Sequence, residues 1–415
     1  MAGRSTRGVI LVSCGTVAYS LSQWFQLIIL VRYASVEAVG AFALALAISA
    51  PAFMFSNLRL RFLLATSTDG HKHFRYFRLV RLLTVLLAGV AVLVVGAAIQ
   101  APATVVALVA LIKAIEAVSD IHQGLFQQQE AFELLATSQT AAAACLLVGC
   151  FVGISTFGTL ESALLGMLIG RALVVLFIDG YAVRRFYRKK QEALSLGSRR
   201  QFMKSLVIAG LPLGFVALLV SLNANIPRYF VEGYLGVTSL GYFASIVYIP
   251  AAGYLLAGAI GQVSMQRMAI AVSDRDRVAL TRILFRLCGA GLVLGLIGIF
   301  VASVFGESLL RLIYGEEFEG LARLFTIVMI AGALSYIVVQ IVYILTSLRA
   351  LRGQLGIYVA DAIVLCLFCV WLMPDLGLIG AGYAMIVSQS VQLFIAATLV
   401  VYAMRRHFES GTRDQ

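Results

Sequence analysis

Apolar segments about 20 residues long repeat along this chain from Val9 to Met404, separated by short basic or polar connectors. A hydrocarbon core about 30 Å thick requires roughly that many helical residues to cross it. The composition agrees, because 61% of the residues are hydrophobic and 13% are charged, whereas soluble domains carry about 25% charged residues. The pattern therefore predicts an all-α, polytopic membrane protein without a soluble catalytic domain.

The hydropathy pattern, together with the Gly, Pro and charged residues between the apolar segments, predicts twelve transmembrane helices. They fall at 9–31, 38–57, 79–99, 102–125, 136–156, 160–183, 205–226, 238–262, 283–305, 322–346, 354–373 and 378–403. With both termini in the cytoplasm, most of the 32 Lys and Arg residues lie in cytoplasmic connectors, as the positive-inside rule requires. This bias accounts for the net charge of +12, so no nucleic-acid partner is expected.

A basic connector divides the spans into two sets of six. The predicted domains are an N-lobe at 1–183, a basic cytoplasmic linker at 184–204, a C-lobe at 205–404 and a cytoplasmic tail at 405–415. A short repeat supports two lobes related by a pseudo-twofold axis, pairing Tyr33, Val36, Gly40, Phe42 and Ala43 with Tyr234, Val237, Gly241, Phe243 and Ala244. The linker suits either contact with anionic lipid headgroups or a solvated connection.

Charged residues inside predicted spans mark candidate functional positions, because each costs about 2.5–3.5 kcal/mol at a span centre. Lys113, Glu116 and Asp120 share one face of the fourth span at helical spacing. Arg171 and Asp179 lie at comparable depths in the sixth. Two interpretations are open: a charge network that leaves Lys113 or Arg171 available to an anionic substrate, or mutual neutralisation that only fixes helix packing.

Other polar residues in or beside the spans are Gln23, Gln26, Asn223, Asn225, Arg228 and Asp361. The four amides would line a wet cleft or bond another helix. Arg228 would reach the headgroups or hold a phosphate. Asp361 would carry a proton or cation, or pair with Arg349 or Arg352.

Neither a metal site nor a cofactor is expected. The six cysteines all fall within predicted spans, where they pack as small apolar side chains. His71 and His73 lie in a basic loop without further ligands nearby.

Several motifs resemble one family. The segment from Lys113 to Gln127 is similar to the fourth-span motif of Wzx-type polysaccharide flippases, in the multidrug/oligosaccharidyl-lipid/polysaccharide exporter superfamily. Further segments resemble the same family: Pro212 to Gly214, Ser221 to Phe230, Leu240 to Ala244 and Leu310 to Phe318.

The resemblance implies a V-shaped, two-lobed transporter of the inner membrane, not an enzyme. Its substrate would be an undecaprenyl-diphosphate-linked oligosaccharide, a repeat unit of O-antigen, capsule or exopolysaccharide, moved by alternating access through a cationic cavity. Asn223, Asn225 and Arg228 would be headgroup contacts. Few basic residues lie in spans one, two, seven and eight, which line the family's cavity, so this chain would draw on Arg228, Arg171 and Arg32.

The expected partners are membrane lipids, a polysaccharide polymerase and a chain-length regulator. A coupling proton or cation, or the membrane potential, would supply the driving force.

Three alternatives remain. A drug/cation antiporter of the same superfamily would hold an acidic, aromatic-lined pocket, and a lipid II flippase would carry two more spans and a more arginine-rich cavity. A polysaccharide polymerase or lipid-linked glycosyltransferase would need catalytic residues on a large extracytoplasmic loop, and the predicted outer connectors are short.

Overall fold

The computed structural model describes residues 2–67, 69–187 and 195–409, and the regular structure in these ranges is entirely helical. The α-helices are α1 (Ala2–Tyr33), α2 (Val36–Ser56), α3 (Leu60–Thr66), α4 (Phe74–Ala98), α5 (Ala103–Gln128), α6 (Phe132–Phe157), α7 (Leu160–Leu173), α8 (Gly180–Tyr187), α9 (Leu196–Ser273), α10 (Arg277–Tyr314), α11 (Ala322–Ser347) and α12 (Leu351–Glu409). Short 3₁₀ turns lie at Gly70–His73 and Glu316–Phe318, and a π-helical segment, Val174–Asp179, joins α7 to α8. The predicted all-α class is confirmed.

Nine helical segments in the described part of the chain are long and apolar enough to cross a membrane. Large apolar side chains also remain exposed on many helices, among them Phe157, Val263, Phe285 and Phe394. Soluble monomers rarely expose large apolar patches, whereas lipid-facing helices require exposed apolar side chains. The chain is therefore a multi-pass membrane protein.

Helices α9 and α12 each extend across one predicted connector, and each is broken inside that connector by a kink. They are 78 and 59 residues long, and each contains one non-helical glycine: Gly236 (φ 81°, ψ 175°) and Gly377 (φ 57°, ψ −134°). Glycine adopts these positive φ values without the steric cost of a Cβ atom. Pro374, expected to end a span, lies inside α12, because neighbouring groups in membrane proteins can satisfy the freed carbonyl.

The described structure divides into two compact units, Met1–Ser221 (unit 1) and Leu222–Gln415 (unit 2). In unit 1, α5 contacts α2, α3, α4 and α7. Helices α6 and α7 meet through Gly149, Gly153, Gly166 and Gly170, where an added Cβ would collide with the facing backbone. Such small residues allow membrane helices to approach closely.

A left-handed turn separates α2 from α3. Leu58 (φ 45°) and Arg59 (φ 49°) adopt positive φ, which costs L-residues roughly 1–2 kcal/mol each. Gly210 of α9 permits this turn to pack closely, since a Cβ there would lie 2.6 Å from the carbonyl oxygen of Leu58. The turn brings the end of α2 and the start of α3 against α5.

In unit 2, side-chain hydrogen bonds join α11 and α10 to α9. Tyr336 Oη donates to the Pro250 carbonyl at 2.8 Å, and Gln340 Nε2 donates to the Ala257 carbonyl at 2.7 Å. Tyr314 Oη donates to the Ser245 carbonyl at 2.8 Å. These bonds satisfy buried polar groups between otherwise apolar helices.

The predicted domain boundaries at 183/184 and 204/205 stay predictions. Part of the predicted linker, residues 188–194, and the tail beyond residue 409 lie outside the described residues.

Candidate functional site

A polar cavity of about 300 Å³ lies within unit 1. Its lining comes from α1, α2, α3, α5, α6 and α7, and comprises Tyr19, Ala50, Phe53, Met54, Asn57, Arg61, Lys113, Glu116, Ala117, Asp120, Gln123, Gln139 and Arg171. This volume is many times the space that one water needs, so the cavity has room for a polar ligand group.

Helix α5 supplies the first charged part of the lining. Lys113 Nζ lies 2.9 Å from Glu116 Oε2, one helical turn away, and Tyr19 Oη on α1 donates to Glu116 Oε1 at 2.7 Å. The predicted shared face is confirmed, since Lys113, Glu116 and Asp120 all line the cavity.

Arg171 on α7 completes this part. Its guanidinium carbon lies 5.3 Å from the centroid of the Tyr19 ring, within cation–π distance. The side chain is only 4% exposed, and its Nε and Nη1 atoms hydrogen-bond to none of the described residues. Tyr19, Lys113, Glu116 and Arg171 are called the Glu116 group below.

The second charged part of the cavity is centred on Asp120. Arg81 Nη2 on α4 lies 2.9 Å from Asp120 Oδ2, and Arg61 Nη1 on α3 lies 3.4 Å from Asp120 Oδ1. Arg81 is fully buried and also donates to the Asn57 side-chain oxygen, while Arg61 donates to Gln123 Oε1 at 3.1 Å. Asn57, Arg61, Arg81 and Asp120 are called the Asp120 group.

Sequence reasoning did not single out Arg61 or Arg81 as site residues. The sequence contained one indication of Arg81. This residue begins an apolar helical run, and a carboxylate inside the membrane, such as Asp120, requires a cationic partner. No local pattern shows that two arginines share this carboxylate, because the turn at Leu58 and Arg59 places Arg61 and the packing of α4 on α5 places Arg81.

Asp179, the other charged candidate of the predicted sixth span, is fully buried and does not line the cavity. It accepts a hydrogen bond from Ser119 Oγ at 2.6 Å. Asp179 is the last residue of the π-helical segment Val174–Asp179, and the charge of Arg171 still acts on its carboxyl group.

The candidates in unit 2 form two separate contacts. Asn223 Nδ2 donates to Asp361 Oδ2 at 2.8 Å and to the Tyr358 carbonyl at 2.9 Å, and Ser388 also donates to Asp361. These partners differ from the Arg349 or Arg352 pairing considered for Asp361.

The other contact in unit 2 is the one that Arg228 makes with Asn225. Arg228 Nη1 donates to Asn225 Oδ1 at 2.7 Å, and the guanidinium lies 5.5 Å from the Tyr248 ring centroid. Arg228 is therefore held by neighbouring side chains of its own unit.

Gln23 and Gln26 do not line the unit 1 cavity. Gln26 is buried and Gln23 is partly exposed. Their place in a wet cleft stays a prediction.

Comparison with known proteins gives consistent results. A family model described as polysaccharide biosynthesis protein matches residues 5–265. The capsular polysaccharide biosynthesis protein CapF of Staphylococcus aureus is 26% identical over 394 residues, covering 94% of this chain and 96% of that protein.

Solved transporters share the fold. An inward-facing multidrug resistance MATE family transporter of the MOP superfamily aligns with a TM-score of 0.69 at 14% identity, covering 97% of this chain and 99% of its own. The lipid II flippase MurJ, in an inward closed conformation, aligns with a TM-score of 0.70 at 13% identity, covering 96% of this chain and 90% of the MurJ chain. The predicted kinship with Wzx-type flippases is confirmed at the level of the family. The chain belongs to the polysaccharide biosynthesis protein family and has the fold of MATE and MurJ transporters.

Proposed function

We propose that this protein is a flippase that carries an undecaprenyl-diphosphate-linked oligosaccharide across the bacterial inner membrane by alternating access. One observation carries the proposal beyond the family assignment. The unit 1 cavity is lined by the cations Arg61, Lys113 and Arg171, against the two carboxylates Glu116 and Asp120. This excess of positive charge suits an anionic headgroup.

The physical task explains the need for such a site. A diphosphate bearing sugars cannot cross hydrocarbon unaided, because charged groups lose their hydration there. A polar cavity replaces part of that hydration, while the polyprenyl tail stays in lipid. No covalent bond has to break, so the proposed activity is transport and not catalysis.

The proposed membrane arrangement has twelve spans in two six-helix lobes, with both termini in the cytoplasm. Nine long apolar helical segments among the described residues support it, since two of them contain a non-helical glycine that would separate two spans. Helix α5 adds a further 26-residue helix. Within this arrangement Asn223, Asn225 and Arg228 are proposed as additional headgroup contacts.

The energy source and the partners are also part of the proposal. Asp361 would carry a coupling proton or cation, or the membrane potential would act on the anionic headgroup with about 2.3 kcal/mol per charge per 100 mV. A polysaccharide polymerase and a chain-length regulator would receive the product.

The charge of the cavity disfavours export of organic cations, even though MATE transporters share the fold. Lipid II remains the second candidate, because the lipid II flippase MurJ aligns over 96% of this chain. A reconstituted assay separates these functions. We expect the purified protein in liposomes to accelerate leaflet exchange of a labelled polyprenyl-diphosphate-linked oligosaccharide over empty vesicles. Exchange of lipid II alone would support the second candidate, and exchange of neither lipid would contradict both.

A further inference from the structure

An apolar groove with a volume of about 910 Å³ lies on the surface of unit 1, between α6 and α7. No residue of the Glu116 group or of the Asp120 group lines it except by way of the neighbouring backbone, and its lining residues differ from those of the polar cavity. Val148 and Ile169, which line the groove, are 62% and 58% exposed. Lipid covers such a surface in a membrane, and the shape and charge of the groove indicate which lipid.

The floor of the groove is backbone. Its lining includes four glycines, where an added Cβ atom would collide with the backbone of the facing helix: Gly149, Gly153, Gly166 and Gly170. The aliphatic side chains that line it come from both helices: Val148, Val152, Leu165, Ile169 and Leu173. A backbone floor between aliphatic side chains suits a hydrocarbon chain, which gains many dispersion contacts there and leaves no polar group unpaired.

The groove is about as long as one leaflet is thick. It extends on α6 from Ala144 to Phe157, which corresponds to about 20 Å of helix. Half of the hydrocarbon core measures about 15 Å. The turn at Gly158 and Thr159 ends the hairpin of α6 and α7, and such a turn belongs at the membrane surface. The groove therefore runs from one membrane surface to the midplane, the depth that one acyl chain reaches.

Polar residues line the groove at the end beside this turn: Thr156, Thr159, Glu161 and Ser162. Glu161 is exposed and forms no ion pair with the described residues. Its carboxylate attracts the ammonium group of a zwitterionic lipid and repels a lipid that carries only negative charge. The same repulsion disfavours the anionic carrier of the proposed function, so the groove and the polar cavity differ in the ligand that they suit.

We propose that the groove between α6 and α7 is a binding site for a phospholipid with an ammonium headgroup, such as phosphatidylethanolamine. One acyl chain lies along the glycine floor, and the ammonium group lies beside Glu161. In the proposed membrane arrangement the turn at Gly158 is extracytoplasmic, so the lipid comes from the outer leaflet of the inner membrane. The binding itself does not depend on which lipid the protein transports.

Native mass spectrometry of the purified full-length protein provides the test. The protein in detergent receives equimolar dioleoyl-phosphatidylethanolamine and dioleoyl-phosphatidylglycerol, and the bound lipids are counted. We expect the wild type to retain phosphatidylethanolamine about threefold more often than phosphatidylglycerol, as an exposed ion pair implies. Glu161→Gln should reduce this ratio to about one.

Glu37→Gln is the control for the charge. Glu37 is also exposed and is the second residue after the N-cap of its helix, as Glu161 is, but it lies on α2 outside the groove. Both substitutions remove the same favourable interaction with a helix N-terminus, so only the lipid contact distinguishes them. Glu37→Gln should keep the wild-type ratio.

Val148→Trp should fill the groove and reduce the number of bound phosphatidylethanolamine molecules by one. Val94→Trp is its control, because Val94 is 63% exposed, against 62% for Val148, and lies on α4 outside the groove. Ile169→Trp fills the groove from α7 and replaces Val148→Trp if that variant does not fold.

Three results would overturn the inference. They are equal retention of the two lipids by the wild type, an unchanged ratio in Glu161→Gln, and an unchanged number of bound lipids in both groove-filling variants. Loss of a dimer instead of a lipid in Val148→Trp would assign the groove to a second copy of the chain, which also contradicts it. Each of these results would leave the proposed flippase function intact, because that function is measured separately by leaflet exchange.

Discussion

Asn223 donates a hydrogen bond from Nδ2 to Asp361 Oδ2 at 2.8 Å, although 138 positions separate the two residues in the chain. The bond joins the first residues of unit 2 on α9 to α12, and Ser388 donates to the same carboxyl group. A buried carboxyl requires such donors, because an unmet acceptor in an apolar interior costs free energy.

Ser388→Ala should therefore destabilise unit 2. The change removes a donor from Asp361, which should lower the free energy of unfolding by about 1–3 kcal/mol. Ser390→Ala is the control, since Ser390 is exposed and donates only to the Ile386 carbonyl of its own helix. Reversible unfolding in detergent micelles measures both changes, and equal stabilities of the two variants would contradict the role given to Ser388.

Asp120→Ala should destabilise unit 1 by about 3 kcal/mol, the lower end of the range for a broken buried pair, because Asp120 is itself partly exposed. The substitution leaves the fully buried guanidinium of Arg81 with the Asn57 side-chain oxygen as its remaining acceptor among the described residues. Asp69→Ala breaks an exposed pair with Lys72 and should cost no more than about 1 kcal/mol. The melting temperatures of the two variants are compared with that of the wild type. A smaller drop in melting temperature for Asp120→Ala than for Asp69→Ala would show that the pair of Asp120 with Arg81 is not buried.

Gly149→Ala should disrupt the contact between α6 and α7. Its new methyl group would collide with the Gly166 carbonyl, whereas a methyl group at Gly89 on α4 would meet nothing within 4 Å. Overpacking of this kind costs typically about 1–3 kcal/mol, while Gly89→Ala should be neutral or slightly stabilising because alanine favours helix. The yield of monodisperse protein and its thermal unfolding distinguish these outcomes, and a well-folded Gly149→Ala variant would show that the helices are not in close contact.

The sequence was sufficient for features that depend on local spacing. The helical period placed Lys113, Glu116 and Asp120 on one face, and Arg171 was expected at a comparable depth; all four line one cavity. The apolar runs predicted the helices. The observed helix ends differ from the predicted ones where α9 and α12 continue through Pro227 and Pro374.

Features that depend on tertiary placement could not be predicted. Tyr19 reaches Glu116 from α1, and the positive φ of Leu58 and Arg59 turns the chain so that Arg61 meets Asp120. Arg81 resembles the connector arginines in sequence, and only the packing of α4 on α5 shows that it is buried.

The central claim is that the unit 1 cavity holds the anionic group of the transported lipid. Its most direct test is the rate of leaflet exchange of a labelled polyprenyl-diphosphate-linked oligosaccharide in liposomes that contain equal amounts of wild type, Arg171→Gln or Arg311→Gln protein. The account predicts exchange at the wild-type rate for Arg311→Gln and a loss of about tenfold or more for Arg171→Gln. Undiminished exchange by folded Arg171→Gln protein would contradict it.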